Sequence, residues 1–309
     1  MRSVFESGTL SREDAIQSLP VSTGSPGTGI KVALRDSRAF VPIARSGCGV
    51  ACKYCYVSEP ASAVIPLSPV QMHALLDGLG NYMQRPNEPR PIMAIGCDTE
   101  VGVSPQLTDN VLICLDFAAQ HGLPVQIATK FPLASALREA LENWPADSAP
   151  AMVFTTITTV ALSARIEPNA PHPVERSANF MAHLPTWQSY ALIKPFLNTS
   201  AKDKECLLNL LTLRRPDGVV VGVRYRKRRE PESHGDPHPI APDWIADLPS
   251  EPAKAFVRRL SALGLRVFMN TQCASSWHDP SLDSTIVRDN YPHLCVQCGR
   301  CPKEERVAR

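Results

Sequence analysis

The sequence lacks three features, and each absence narrows its reading before any motif is found. No run of about eighteen apolar residues occurs anywhere in the 309-residue chain, so nothing reads as a membrane-spanning helix. The N-terminal MRSVFESGTLSRED has none of the apolar core of a secretory signal, and we expect a cytoplasmic protein with no membrane partner. Charge of one sign is also scarce. A formal net charge of +2 gives no global field that would draw the protein to nucleic acid, so any basic surface must be local. Cysteine, by contrast, is plentiful. Ten cysteines in a chain read as cytosolic point to metal or redox chemistry, because structural disulfides rarely persist in a reducing compartment.

Seven of the ten fall into two local groups, and the first is CGVACKYC, with Cys48, Cys52, Cys55 and, just before the last, Tyr54. Three thiolates on one glycine-containing loop can grip three irons of a 4Fe-4S cluster and leave the fourth iron without a protein ligand. The competing readings are zinc and three ordinary buried cysteines. Zinc usually completes four ligands from paired motifs, and no fourth ligand lies close by in sequence. The spacing, with an aromatic before the third cysteine, resembles the signature of the radical S-adenosylmethionine superfamily. That resemblance implies that the open iron chelates the amine and carboxylate of S-adenosylmethionine. It also implies an electron donor such as flavodoxin or ferredoxin, and reductive cleavage of the sulfonium to a 5'-deoxyadenosyl radical.

Patterning along the chain organises it around this loop. Residues 1–29 form an irregular, glycine- and proline-punctuated lead-in, and 30–45 alternate as strands that deliver the chain to the cysteines. Ser68-Pro69 starts a helix with Val70, Leu75, Leu76 and Leu79 on one side, and PIMAIG is a buried strand. A helix opens at Leu107-Thr108-Asp109, carries Val111, Leu112, Leu115 and Phe117 on its apolar face, and is stopped by Gly122. Strands at 124–130, 151–159, 189–196 and 219–225 alternate with helices near 133–143, from Pro173 through VERSANFMAHL, and near 203–213. About six such alternations call for parallel strands joined by right-handed crossovers, an α/β partial (β/α)6 TIM-like barrel over residues 30–225. Residues 226–250 read as a charged, proline-rich linker, and 251–309 as a C-terminal cysteine-rich extension.

Barrels of this type place their chemistry at the strand carboxyl ends. The second strand there ends in GCDTE, so Asp98, Thr99 and Glu100 are candidates for the methionine ammonium and the ribose hydroxyls, or are ordinary loop residues. Thr156 and Thr158 alternate onto one strand face and could offer hydroxyls to the nucleoside, although threonine is also a common strand former. Lys194, in an apolar run, is a candidate for an anionic group or for snorkelling to the rim, and Arg224 and Tyr225 are similar rim candidates. Cys114 and Cys206 fall on apolar helix faces and read as core.

Two further stretches, AIGCDTEVG through QIATKF (94–131) and RIEPNAPHPVER (165–176), resemble the spore photoproduct lyase branch of the superfamily. That resemblance implies that Lys130 engages the methionine carboxylate and that Cys97 donates a hydrogen atom to the product radical. Both suit the chemistry, since a cation pairs with a carboxylate and a thiol has a readily abstracted hydrogen. A small core residue is the alternative for Cys97.

The second cysteine group is CVQCGRC, with Cys295, Cys298 and Cys301, and Cys273 is the obvious fourth ligand. Four thiolates suit a closed second iron-sulfur cluster, with a four-cysteine zinc site the alternative. Three function classes follow. The leading one is a radical S-adenosylmethionine enzyme acting on a natural-product precursor, a nucleoside or a peptide. A nucleic-acid lesion lyase draws on the family resemblance and on Arg224, Arg226, Lys227, Arg228 and Arg229, too few cations to grip more than a few phosphates. It is disfavoured because spore photoproduct lyase lacks such a tail. The third is a non-catalytic iron-sulfur or zinc protein.

Overall fold

A computed structural model gives the architecture, and it describes residues 17–19, 30, 32–35, 38–55, 63–86, 90–180, 186–222, 225–227, 237–238, 241–246 and 250–278. The chain enters through β1 (Gln17–Leu19), β2 (Val32–Arg35) and β3 (Arg38–Val41), which pair antiparallel in succession. β4 (Ala44–Ser46) and β5 (Ile65–Pro66) pair on either side of the cysteine loop. α1 (Pro69–Met83) then leads to β6 (Ile92–Ile95), α2 (Pro105–His121) to β7 (Val125–Thr129), and α3 (Ser135–Glu142) to β8 (Ala151–Thr156). Two single turns, α4 (Ser163–Ile166) and α5 (Pro173–Arg176), precede a 3-10 turn over Ser177–Phe180 and β9 (Trp187–Ile193). α6 (Ala201–Arg214) and β10 (Gly218–Val221) follow.

In the stretch expected to be a linker, β11 (Tyr225–Lys227), β12 (Pro237–His238) and β13 (Ala241–Ala246) pair antiparallel. α7 (Glu251–Ala262), β14 (Val267–Phe268) and α8 (Thr271–His278) complete the described residues.

Nine strands make one sheet in the order β1-β2-β3-β6-β7-β8-β9-β10-β14, parallel from β3 onward. Because the parallel strands follow chain order without reversal, each crossover advances the same way and its helix falls on one face, as in the wall of a (β/α) barrel. Among the described residues the wall is open, with β1 and β14 at its edges, and β14 adds a parallel strand beyond residue 225, where the sequence pattern suggested the barrel ended.

Alternation along the strands explains the two layers. Val125 and Ile127 pack outward with Leu75, Leu79, Val111 and Leu115 of α1 and α2 in one large buried cluster. Met152, Phe154, Tyr190, Leu192, Val220 and Phe268 form a separate cluster on the inner face, covered by Ala274 of α8. The Phe154 and Tyr190 rings stack at 5.0 Å and Tyr190 meets Phe268 edge-on at 6.0 Å. Two polar contacts fix α8 on this face: Arg38 Nη1 donates to Thr271 Oγ1 at 3.2 Å, and Gln126 donates to Ser275 Oγ.

Local signals account for most element ends. Ser68 and Gln71 form a reciprocal capping box at α1, and Gly122, at φ 61°, closes α2 in the left-handed conformation. Three expectations are corrected. Val70 is 78% exposed, because the buried stripe of α1 runs through Met72, Leu75, Leu76, Leu79 and Tyr82 instead. α2 starts at Pro105, capped by Ser104, rather than at Leu107. The helix expected from Pro173 stops at Arg176 and tightens into the 3-10 turn, because Arg176 and Asn179 turn inward to bind strand-end carbonyls.

Candidate active site

The loops that follow the parallel strands gather at one end of the sheet. The cysteine loop follows β4 and turns tightly, with Ala51 in the left-handed region at φ 56° and the Cys55 N–H donating to the Cys52 carbonyl at 3.1 Å. Three tethers hold it. Thr99 Oγ1, buried, donates to the Gly47 carbonyl at 2.9 Å. The Lys53 N–H donates to the Ile166 carbonyl at 2.9 Å, and Asn169 Nδ2 to the Gly49 carbonyl at 3.0 Å.

GCDTE is folded against the next loop. Gly96 sits at φ +79°, and a Cβ there would fall 2.2 Å from the Ala128 carbonyl oxygen, so only glycine allows this close approach. Glu100, 4% exposed, accepts from the Gly102 N–H at 3.2 Å, from the Thr129 hydroxyl, and from the Lys130 N–H at 2.7 Å. Its carboxylate ties the ends of β6 and β7 together and orients Lys130. Burial raises the Glu100 pKa, opposed by the Lys130 charge and these hydrogen bonds.

Lys130 stands over the Tyr54 ring with Nζ 6.0 Å from the centroid. Burial alone would lower its pKa, but the acidic groups around it, Cys52, Glu167, Glu100 and Cys48, outweigh burial and raise it. Lys130 is therefore a cation among sulfur and carboxylate. Burial raises the Cys48 pKa and pushes Cys52 up to about 12, with Lys130 opposing in both cases. The three thiols are close enough that Cys55 raises both others, yet no three His, Cys, Asp or Glu side chains among the described residues converge on one metal ion.

Behind the loop lies a buried pair that no single residue signal identified. Glu167 and Arg176 form an ion pair at 2.6 Å with both side chains fully buried. Glu167 also accepts from the Tyr54 hydroxyl and, at 3.4 Å, from Thr158 Oγ1. Arg176 donates to the Pro171 carbonyl at 2.6 Å and the Thr156 carbonyl at 3.1 Å. Both residues lie in RIEPNAPHPVER, where the family resemblance was visible but the acid-base pairing was not.

The remaining candidates divide clearly. Asp98 and Cys97 are half-buried beside this end, with burial pushing Asp98 up to about 6 and Cys97 up to about 11. Lys194 is half-buried after β9. β8 ends at Thr156, so Thr158 lies beyond the strand and the expected strand face over 151–159 is not continuous. Cys273 lies on α8 against the inner apolar cluster, and Cys114 is buried as expected, but Cys206 is exposed rather than core. Arg224, Arg228, Arg229, Cys295, Cys298 and Cys301 lie outside the described residues, as do the side chains of Tyr225, Arg226 and Lys227.

No family model matches the sequence, and no curated protein is similar to it. Solved structures are similar. A tyrosine-to-phenylalanine variant of spore photoproduct lyase matches with a TM-score of 0.59 at 13% identity, over 75% of this chain and 76% of that one. The chain shares its fold with spore photoproduct lyase. A variant of spore photoproduct lyase with bound AdoMet and dinucleoside spore photoproduct gives 0.56 at 14% identity, with the same coverage of 75% and 76%. SuiB of Streptococcus suis, bound to its precursor peptide SuiA, gives 0.52 at 12% identity over 82% of this chain, which spans only 54% of SuiB. The likeness to spore photoproduct lyase and SuiB is one of fold. Among the described residues, no helix is long and apolar enough to cross a membrane.

Proposed function

We propose that the protein is a radical S-adenosylmethionine enzyme. The observation that carries this reading is the loop of three neighbouring thiols at the strand-end face, with the Lys130 cation beside it. Cys48, Cys52 and Cys55 would hold a 4Fe-4S cluster. When bound, such a cluster supplies the electron that cleaves the sulfonium of S-adenosylmethionine to methionine and a 5'-deoxyadenosyl radical.

The chain's own residues do the binding and positioning. Lys130 pairs with the methionine carboxylate and Asp98 receives the ammonium. Glu100 fixes the Lys130 backbone, Thr99 fixes the loop, and Glu167 holds Tyr54 and Thr158 in place, with Thr156 lending its carbonyl to Arg176. Cys97 would give its thiol hydrogen atom to a substrate radical, leaving a thiyl radical that an electron from the donor and a proton return to the thiol. Cys273, with Cys295, Cys298 and Cys301, would form the second site, iron-sulfur or zinc, and an electron donor of the flavodoxin or ferredoxin type would reduce the loop cluster. The dinucleoside bound by spore photoproduct lyase and the peptide bound by SuiB suggest a nucleoside or peptide substrate alongside a natural-product precursor.

Metal and sulfide analysis with electron paramagnetic resonance tests the reading. About eight irons per chain support two clusters, and about four irons with one zinc support a zinc tail. The reduced cluster signal is expected to change on adding S-adenosylmethionine. A signal from the loop cluster that ignores S-adenosylmethionine would overturn the proposal.

A further inference from the structure

The cysteine loop borders an exposed face on which aliphatic side chains stand among cations. β4 and β5 carry a bulge at its root: Ala44 pairs with Pro66 and Ser46 with Ile65, so Arg45 is the extra residue and, with Ser46, stands opposite Ile65. Arg45 and Ser46 are exposed, and Ile65 is 50% exposed. The chain then turns into α1, whose first turn carries the exposed Val70 and no acid. Asn110 holds that turn against the ribbon, donating to the Ile43 and Leu67 carbonyls at 2.9 Å each.

Contacts at Gly49 carry this face across the loop. A Cβ there would fall 3.4 Å from Val64 Cγ2, so Val64, the neighbour of Ile65, lies against the loop from one side. From the other, Asn169 Nδ2 donates to the Gly49 carbonyl at 3.0 Å. The Lys53 N–H donates to the Ile166 carbonyl at 2.9 Å, which sets Lys53 next to the segment that carries Arg165, and both side chains are exposed. Arg45, Lys53 and Arg165 make no ion pair among the described residues. Acids are few on this side. Glu167 is buried against Arg176, and the exposed acid of that segment is Glu175. Between Asp36 and Asp77 the sequence has one carboxylate, Glu59, which lies outside the described residues.

We propose that this face is the docking surface for the electron donor, an acidic carrier protein whose carboxylates meet Arg45, Lys53 and Arg165 and whose apolar contact meets Ile65 and Val70. An apolar centre with a charged rim is the usual anatomy of an interface, and opposite charges steer the encounter. The three thiols are half-buried, so a carrier seated here lies close over them, and electron transfer favours a short path. One electron then passes from the reduced carrier, which is oxidised by one electron, to the loop cluster. Nucleic acid fits less well, because three cations grip few phosphates and the aliphatic side chains offer a phosphate nothing. The assignment of the donor to this face rests on the radical reading above.

Stopped-flow reduction of the reconstituted protein tests the surface, with reduced flavodoxin and, in parallel, reduced ferredoxin as donors and photoreduced 5-deazariboflavin as an uncharged control. Combining Arg45→Glu with Arg165→Glu should slow reduction by the protein donors about tenfold or more at low ionic strength and flatten its salt dependence. Arg45→Lys with Arg165→Lys should stay near the unmodified rate, and reduction by 5-deazariboflavin should not change in any variant. Protein-donor rates equal in the reversed and unmodified chains would overturn the proposal, as would a loss of duplex DNA binding with donor reduction intact. A second measurement needs no cluster. Carbodiimide cross-linking of the full-length, unmodified chain to each donor, read by mass spectrometry, should join Lys53 to a donor carboxylate as an amide, and no cross-link at Lys53 with either donor overturns the docking equally. A loop cluster reduced by 5-deazariboflavin but indifferent to the reversals removes the surface and leaves the radical reading intact, whereas a chain that holds no loop cluster removes that reading itself.

Discussion

At the strand carboxyl ends the protein buries charge, with Glu100 4% exposed and both Glu167 and Arg176 at 0%. Deeper in the same sheet, the inner face is aromatic, with Phe154, Tyr190 and Phe268 packed beneath α8. Buried charge is a poor source of net stability, since desolvation offsets much of the Coulomb attraction, whereas apolar burial is the main stabilising contribution in a core. The difference teaches that the charged end is organised for geometry. Its bonds run to the cysteine loop and to Lys130, while the aromatic end holds the strands that carry those loops.

Three variants would break or sharpen that contrast. Arg176→Met leaves the fully buried Glu167 carboxylate without its cation, and should cost about 3–5 kcal/mol by urea denaturation. Pairing it with Glu167→Gln should restore a substantial part, and a loss below about 1 kcal/mol in the single variant would show that the pair does not organise this end. Phe154→Ala opens a cavity and should cost about 3 kcal/mol. It should leave the iron content of the folded fraction unchanged, whereas Tyr54→Phe, which removes a donor to Glu167, should cost only about 1 kcal/mol and lower iron retention.

Asp203 gives a smaller, pH-dependent effect away from both ends. Burial pushes its carboxyl up, but hydrogen bonds from the Thr159 hydroxyl and the Ala161 and Val160 N–H groups outweigh burial and leave it lowered. A carboxyl lowered on folding stabilises above its unfolded value, about 3.9, and loses that contribution as pH falls through the folded value. Asp203→Asn should therefore cost about 1–3 kcal/mol at neutral pH, with the gap to the unmodified protein closing in acid. An unchanged gap at low pH would contradict this. Least of all, Val70→Lys should change stability by no more than about 0.5 kcal/mol, since Val70 lies outside the buried stripe.

Much of the fold was legible because helices and buried strands differ in period and are punctuated by Ser68, Pro69 and Gly122. That β14 joins the main sheet was not, because its pairing with β10 is a long-range contact that local pattern does not record. In the site, the cysteine spacing was explicit, and Lys130 and Glu100 stood at a strand end where polar residues are conspicuous. Glu167, Arg176 and Arg38 were not singled out. Each acts through a long-range partner, Glu167 on Tyr54, Arg176 on the Thr156 carbonyl and Arg38 on Thr271, and a local pattern holds no record of such distances.

The most direct test of the central claim is 5'-deoxyadenosine formation by the anaerobically reconstituted protein with dithionite and S-adenosylmethionine. The account predicts product from the unmodified protein and none from Cys52→Ala, with Lys130→Met reduced by roughly tenfold or more through weaker cosubstrate binding. A protein that holds an intact loop cluster, as read by iron, sulfide and electron paramagnetic resonance, yet forms no 5'-deoxyadenosine would contradict it.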